Sequence, residues 1–265
     1  PDGSERSVIL ESDEFPGFAR GIITAHAWSA DGRAVAAAVH LRREGGERVE
    51  AIYLAREGER TIRPLFTNRK VAPFFLYWNP GDAELSFLGG DGTGALYLYV
   101  VDTETGRLEL AHRGNGSLYW SLSEDGTTLV THTGGGLDDG RGTLRVHRRR
   151  GDGFEPTGLT GRERTAGRFQ APAVSRGGDR IAVALLNERG TSTLAVVSPE
   201  GSVLRRVEEF DGAASLSWSP DDRYLAYVDG SRRYGGGIVG TLKVVDTEGL
   251  ERVVKASASA GSFGP

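Results

Sequence analysis

The 265-residue chain has no cysteine and no methionine, and only three of its 32 basic residues are lysines: Lys70, Lys243 and Lys255. Without cysteine there is no disulfide, no thiol nucleophile and no Cys-ligated zinc. Without methionine the natural start codon is not in view, so a processed, trimmed or incompletely represented chain is expected. No apolar run approaches the roughly 18 residues of a membrane helix, and no signal-peptide pattern opens the sequence. Membrane insertion is therefore not expected. Helical periodicity is missing as well. Net charge is −4, from 36 acidic against 32 basic residues, with no basic stripe in the linear sequence, so a nucleic-acid partner is not expected.

What is abundant is glycine, 39 residues, roughly twice the average usage of about 7%. Hydrophobic residues at 38% still suffice for a core. Short elements joined by tight turns follow from that combination. An internal repeat then orders them. Five segments share an apolar residue, Ser or Asn, a turn and an apolar strand. They are Trp28-Ser-Ala-Asp-Gly-Arg-Ala-Val-Ala-Ala, Trp78-Asn-Pro-Gly-Asp-Ala-Glu-Leu-Ser-Phe, Leu122-Ser-Glu-Asp-Gly-Thr-Thr-Leu-Val-Thr, Val174-Ser-Arg-Gly-Gly-Asp-Arg-Ile-Ala-Val and Trp218-Ser-Pro-Asp-Asp-Arg-Tyr-Leu-Ala-Tyr. The Ser/Asn positions are 29, 79, 123, 175 and 219, spaced 50, 44, 52 and 44 residues apart. Each copy continues into a second apolar segment, a tight turn such as Thr103-Glu-Thr-Gly, and a last short strand. Four strands per roughly 45 residues are the signature of β-propeller blades.

The phrase around Trp218, with its four weaker copies, resembles the repeat of TolB-like β-propellers. It is also similar to the propeller domains of prolyl-oligopeptidase-type peptidases and tricorn-like proteins. The resemblance covers about residues 22–256 and departs from the pattern at Leu122 and at Val174-Ser-Arg-Gly-Gly. It implies an all-β propeller of four-stranded antiparallel blades. It also implies export, to a bacterial periplasmic or extracellular location.

A single propeller domain over 1–265 is expected, with complete units at about 23–68, 71–112, 117–159, 169–208 and 213–255. The opening Pro1-Asp-Gly-Ser-Glu-Arg-Ser-Val-Ile-Leu matches the turn and last strand at 199–207. Residues 1–12 are thus expected as an orphan outer strand. Either five blades close in a modified way, or a sixth blade is partial. The second is preferred, because an orphan strand implies absent partners and an open edge invites aggregation.

With strands named a to d, the a–b and c–d turns fall at one end and the b–c and d–a loops at the other. The long or unusual loops all belong to the second set: 42–50, 89–94, 134–142 and 229–240, then 12–21, 67–73 and 156–167. Loops on a rigid scaffold are where recognition resides. Candidate binding residues follow. Asp138, Asp139 and Arg141 lie in the third of these loops, where paired Asp lacks the spacing of a calcium loop. Arg232, Arg233 and Tyr234 lie in the fourth, with side chains suited to carboxylate or phosphate partners and interfaces. Phe74 and Phe75 are the mouth-side members of an aromatic run, and Tyr119, beside Trp120, has the same character. Strand alternation places Phe74, Leu76 and Trp78 on one face and Phe75 and Tyr77 on the other. Trp28, Trp78 and Trp218 are expected as packing between blades.

Of the five histidines, His26 on the first strand is the best candidate for a polar role; His40 and His132 sit near the ends of b strands. None forms a zinc-binding pattern, and no Gly-x-Ser-x-Gly elbow, P-loop or dinucleotide fingerprint occurs. No catalytic residue, metal or cofactor is assigned. The expected function is a non-catalytic module that binds a protein, peptide or glycan through the loop-rich end. The alternatives are a hydrolase or lyase with polar residues at the mouth, and an inert fragment of a larger peptidase.

Overall fold

The computed structural model describes residues 15, 18–59, 61–116, 118–134, 142–151, 153–158, 172–186, 192–210, 216–234, 237–248 and 252–260. These carry twenty strands, arranged as five four-stranded antiparallel sheets in simple meander order. The first holds β1 (Arg20–Trp28), β2 (Ala34–Arg42), β3 (Arg48–Arg56) and β4 (Arg63–Asn68). The second holds β5 (Ala72–Trp78), β6 (Glu84–Gly90), β7 (Ala95–Asp102) and β8 (Leu108–Asn115). The third comprises β9 (Leu118–Leu122), β10 (Thr128–Gly134), β11 (Gly142–Arg150) and β12 (Gly153–Gly158). The fourth comprises β13 (Ala173–Val174), β14 (Ile181–Leu186), β15 (Ser192–Val197) and β16 (Val203–Phe210). The fifth comprises β17 (Ser217–Trp218), β18 (Tyr224–Tyr234), β19 (Gly237–Asp246) and β20 (Arg252–Ala260). The chain forms two compact units, 1–113 and 114–265. The fold is all-β and propeller-like in its repeated sheets. The orphan strand expected at 1–12 lies outside the described residues.

The repeated serine explains why the first turn forms in four of the five sheets, the second having Asn79 in its place. The buried Ser29 Oγ accepts from the Ala34 N–H at 2.8 Å and donates to Asp31 at 2.7 Å, while the Gly32 N–H reaches the Ser29 carbonyl at 3.0 Å. Ser123, Ser175 and Ser219 repeat the first of these bonds, with the N–H of Thr128, Arg180 and Tyr224. One short side chain thus closes a loop whose backbone groups would otherwise be buried unpaired.

Where the fourth turn residue is Asp rather than Gly, it joins two sheets. Asp82 (φ +58°) accepts from the N–H groups of Ala30 and Asp31 at 2.9 and 3.0 Å. Asp222 (φ +57°) does the same to Arg176 and Gly177, at 2.8 and 3.1 Å. A left-handed conformation is costly for a side chain with a Cβ, though Asp tolerates it better than most. Here each carboxylate offsets that strain with two charge-assisted bonds to the preceding turn.

In the first unit, Leu76, Trp78, Leu85, Phe87 and Val101 of the second sheet pack on Ala34, Ala36, Ala38, Ile52 and Leu54 of the first. Trp78 Nε1 donates to the Ala27 carbonyl at 3.0 Å. In the second unit, Trp218 Nε1 donates to the Ala173 carbonyl at 2.9 Å, with Leu225, Tyr227 and Val245 against Ala182, Ala184 and Leu194. Trp28 departs from the expectation of inter-sheet packing: it is 56% exposed. It lies on the face of β1 opposite to Ala25 and Ala27, the residues that meet the second sheet.

Two further expectations are corrected. Over its described residues the stretch 229–240 is not a loop: β18 and β19 extend into it, pairing Arg232 with Val239, Arg233 with Ile238 and Tyr234 with Gly237. A register shift between Asp229 and Arg232 absorbs the irregular sequence, so the pairing continues to Tyr234 and Gly237. The simple alternation across 74–78 also fails. The register of β5 shifts between Phe74, opposite Leu88, and Tyr77, opposite Ser86. One extra residue in the strand puts Phe74 and Tyr77 on the same face, with Trp78 opposite.

Candidate ligand-binding surface of the first unit

β1 and β5 are the first strands of adjoining sheets, and each has one unpaired edge. Each also carries a bulge. In β1 the register slips between Ile23 and Ala25, and Thr24 Oγ1 donates to the Ala38 carbonyl at 3.3 Å. In β5 the slip centres on Phe75, whose backbone sits at φ +50°. Phenylalanine has no local hydrogen bond to compensate that conformation, which costs about 1–3 kcal/mol. Its ring is nonetheless 51% exposed, beside Phe74 at a centroid distance of 5.3 Å. Tyr77 is 40% and Ile22 56% exposed. Neither strand contains a carboxylate.

The b–c end of the same unit is polar. Glu50, with only 5% of its side chain exposed, accepts from His40 Nδ1 and binds Arg48 Nε at 2.7 Å. The bond to Glu50 fixes the His40 tautomer and ring orientation, leaving Nε2 as the second ring nitrogen. Glu47 pairs with both Arg43, at 3.1 Å, and Arg69, at 2.9 Å, and the Arg43 guanidinium lies 5.4 Å over the Phe18 ring. In the b–c loop of the second sheet, Asp91 accepts from the Thr93 hydroxyl and N–H and from Tyr97 OH at 2.8 Å. Those bonds, led by the Thr93 hydroxyl, pull the Asp91 carboxyl down to about 2. Arg113 lies 5.4 Å over Tyr97.

The expected site residues separate under this geometry. Phe74 and Phe75 sit together on β5. His26 is exposed on β1, but the register places it with Ile23 and Trp28, on the face turned away from the second sheet. Tyr119 belongs to β9 in the other unit, half-buried opposite His132, with ring centroids 6.3 Å apart. His132 is buried, and burial lowers its pKa below the ordinary imidazole value. Asp138, Asp139 and Arg141 lie outside the described residues. For Arg232, Arg233 and Tyr234 only the backbone pairing is described.

Sequence reading missed Glu50 and Arg48, which look like ordinary strand residues; the signal was His40 and Glu50 in directly opposed positions of a predicted hairpin. It also missed Tyr97 and Asp91, which an Asp-x-Thr turn beside an aromatic strand announces. Among the described residues no group of three or more His, Asp or Glu side chains is placed to hold a metal ion. No helix there is long and apolar enough to cross a membrane.

Repeated four-stranded antiparallel sheets with loop-borne polar clusters define a propeller-like scaffold. No family model and no curated protein matches the chain. Among solved structures, TolB from Acinetobacter baumannii aligns over 88% of this chain and 54% of its own, with 18% identity and a TM-score of 0.52. A puromycin-hydrolyzing peptidase of Mycobacterium tuberculosis aligns over 89% of this chain and 38% of its own, at 17% identity and TM-score 0.55. Oligogalacturonate lyase from Vibrio parahaemolyticus aligns over 86% and 75%, at 13% identity and TM-score 0.55. The chain thus spans about half the length of the TolB structure and less than half that of the peptidase. At these identities the likeness is one of fold, shared by proteins of different activities.

Proposed function

We propose that the chain is a non-catalytic binding module that recognises a protein, peptide or glycan ligand. The observation that carries this reading is Phe75: a half-exposed aromatic ring held in a strained left-handed conformation by a bulge in an otherwise regular strand. A core residue gains full burial in exchange for strain, whereas this one leaves about half of its surface exposed. An aromatic platform on a rigid strand offers contact area at little ordering cost, which is the usual economy of a recognition surface. Phe74 and Tyr77 extend the platform. The companion proposals are a partial sixth sheet, supported by the match of the opening residues to the turn and last strand at 199–207, and a bacterial extracytoplasmic location, supported by the resemblance of the repeat to TolB-like propellers. Fractionation of the source cells tests the location.

The binding reading is tested with a random-peptide display library and a panel of immobilised oligosaccharides, each screened against the whole chain. A ligand whose affinity falls at least about tenfold in Phe75→Gly, with circular dichroism unchanged, supports it. Ligands that bind Phe75→Gly as well as the parent chain remove Phe75 from it, and a chain that takes no ligand in either screen sinks it.

A further inference from the structure

A row of arginines crosses the first sheet at its b–c end. The register pairs Arg20 of β1 directly with Arg42 of β2, and Arg42 with Arg48 of β3. The next row inward is Ile22, His40, Glu50 and Asn68. Residues 42, 40, 38 and 36 of β2 point to one face, so these rows share the face on which Ala36 and Ala38 meet the second sheet. All three arginines are exposed. Neighbouring strands are about 5 Å apart, and like charges directly opposed at that distance are destabilising. Glu50 neutralises Arg48. Among the described residues, neither Arg20 nor Arg42 has a carboxylate within ion-pair reach. Arg43, Arg69 and Lys70 enlarge the positive end, against Glu44 and Glu47.

This patch stands out in a chain of net charge −4, and it is invisible in the linear sequence because three strands assemble it. We infer that the Arg20–Arg42–Arg48 row is an anion-binding subsite for a peptide segment carrying carboxylates on alternate residues. The inference deepens the binding-module reading and rests on it. The guanidinium fork matches a carboxylate with two parallel bonds. In an extended segment, alternate side chains project on the same side about 7 Å apart, within reach of arginines spaced about 5 Å on flexible stems. The side chain beside the row is the exposed aliphatic Ile22, and Phe18 lies under Arg43. An aliphatic neighbour suits the methylene stems of the carboxylate side chains that reach the row, where a sugar ring would call for a flat aromatic one. His40, held by Glu50, adds a polar ring nitrogen at the inner margin.

The test is fluorescence anisotropy of a labelled peptide of alternating Glu and Val, titrated with the whole chain. The expected result is saturable binding that weakens with added salt, and weakens by about two- to thirtyfold in Arg20→Gln/Arg42→Gln, as losing two solvent-facing ion pairs predicts. Arg20→Lys/Arg42→Lys keeps the charge and loses the fork, and an intermediate affinity is expected. Circular dichroism confirms that both variants fold. Undiminished binding by the Gln variant overturns the inference. So does arginine-dependent preference for oligogalacturonate or single-stranded DNA over the peptide, since the subsite then serves another class. If a display-selected ligand depends on Phe75 but not on Arg20 and Arg42, the binding-module reading survives and this inference fails. Arg-dependent peptide binding that ignores Phe75→Gly supports the subsite and removes Phe75 from recognition.

Discussion

Gly178 occupies the fourth position of its turn at φ +72°, and a Cβ there would stand 2.7 Å from Thr128 Oγ1 and 3.2 Å from Ser123 Cβ. Both neighbours are fully buried, so neither has room to move. Gly126 fills the same turn position at φ +68° with nothing within 4 Å. Alanine at 126 therefore meets only the backbone penalty, about 1 kcal/mol, whereas alanine at 178 adds a steric clash and is expected to cost about 2–3 kcal/mol. Urea unfolding of the two variants checks the order; equal losses would mean that the turn of the fourth sheet is only loosely seated on the third. His132 provides a pH counterpart. Burial lowers its folded-state pKa below the ordinary 6.5, so the folded chain favours the neutral ring while the unfolded chain takes up a proton sooner. Its contribution to stability is complete above about pH 6.5 and is lost as pH falls toward the folded value. His132→Gln is expected to flatten the fall in stability below about pH 6.5 relative to the parent. A parallel shift of both curves would assign that fall to other groups.

At the scale of an element, β5 shows where sequence reading succeeds and where it stops. The repeat tryptophan at 78 correctly announced packing on the preceding sheet, because a Trp followed by Asn/Ser and a tight turn has one way to bury its ring and place its N–H. Nothing in the letters Phe-Phe-Leu-Tyr-Trp announced the bulge. A one-residue slip is decided by tertiary fit along the whole strand, and no local propensity marks it. The hairpin of β18 and β19 failed for the opposite reason. Its glycines and arginines read as a loop, yet backbone pairing needs no particular side chain and continued to Tyr234. Trp28 has the same motif as Trp78 and Trp218, yet it is exposed on the face of β1 turned away from the second sheet, which a repeat cannot state. The arginine row is another assembled feature, made by register alone. The bulge yields a prediction that separates strain from packing. Phe75→Gly is expected to hold or raise stability, by up to about 1 kcal/mol, since released left-handed strain outweighs the modest burial lost and the entropy of glycine. A loss of more than about 1 kcal/mol in urea titration would make Phe75 a packing residue and remove the basis for its role in recognition.

Across the whole chain, the joints between sheets recur in matched pairs of devices. The first and second sheets are tied by Asp82 to the turn N–H groups of Ala30 and Asp31, and by Arg56 and Arg63 to the carbonyls and side chains of Thr103 and Glu104. In the other unit, the fourth and fifth sheets are tied by Asp222 to Arg176 and Gly177, and by Arg205 to the Thr247 and Glu248 carbonyls. The third and fourth sheets lack the Asp device, because the turn residue at that position is Gly178. There Glu124 N–H donates to the Arg176 carbonyl, and the two side chains form an ion pair. The Asp joints therefore act as separate fasteners of two packed pairs, sharing no hydrogen-bond partner. Asp82→Ala and Asp222→Ala keep the left-handed strain and lose both bonds, so each is expected to destabilise by about 1–2 kcal/mol. Asp82→Gly loses the bonds and the strain together, and is expected to cost less than Asp82→Ala. For sites without common partners, the double Ala variant should lose the sum of the single losses to within about 0.5 kcal/mol. Urea unfolding of the four chains decides the matter: a double-variant loss well below the sum would show that one joint does not hold once the other is gone, and the picture of independent fasteners would be wrong.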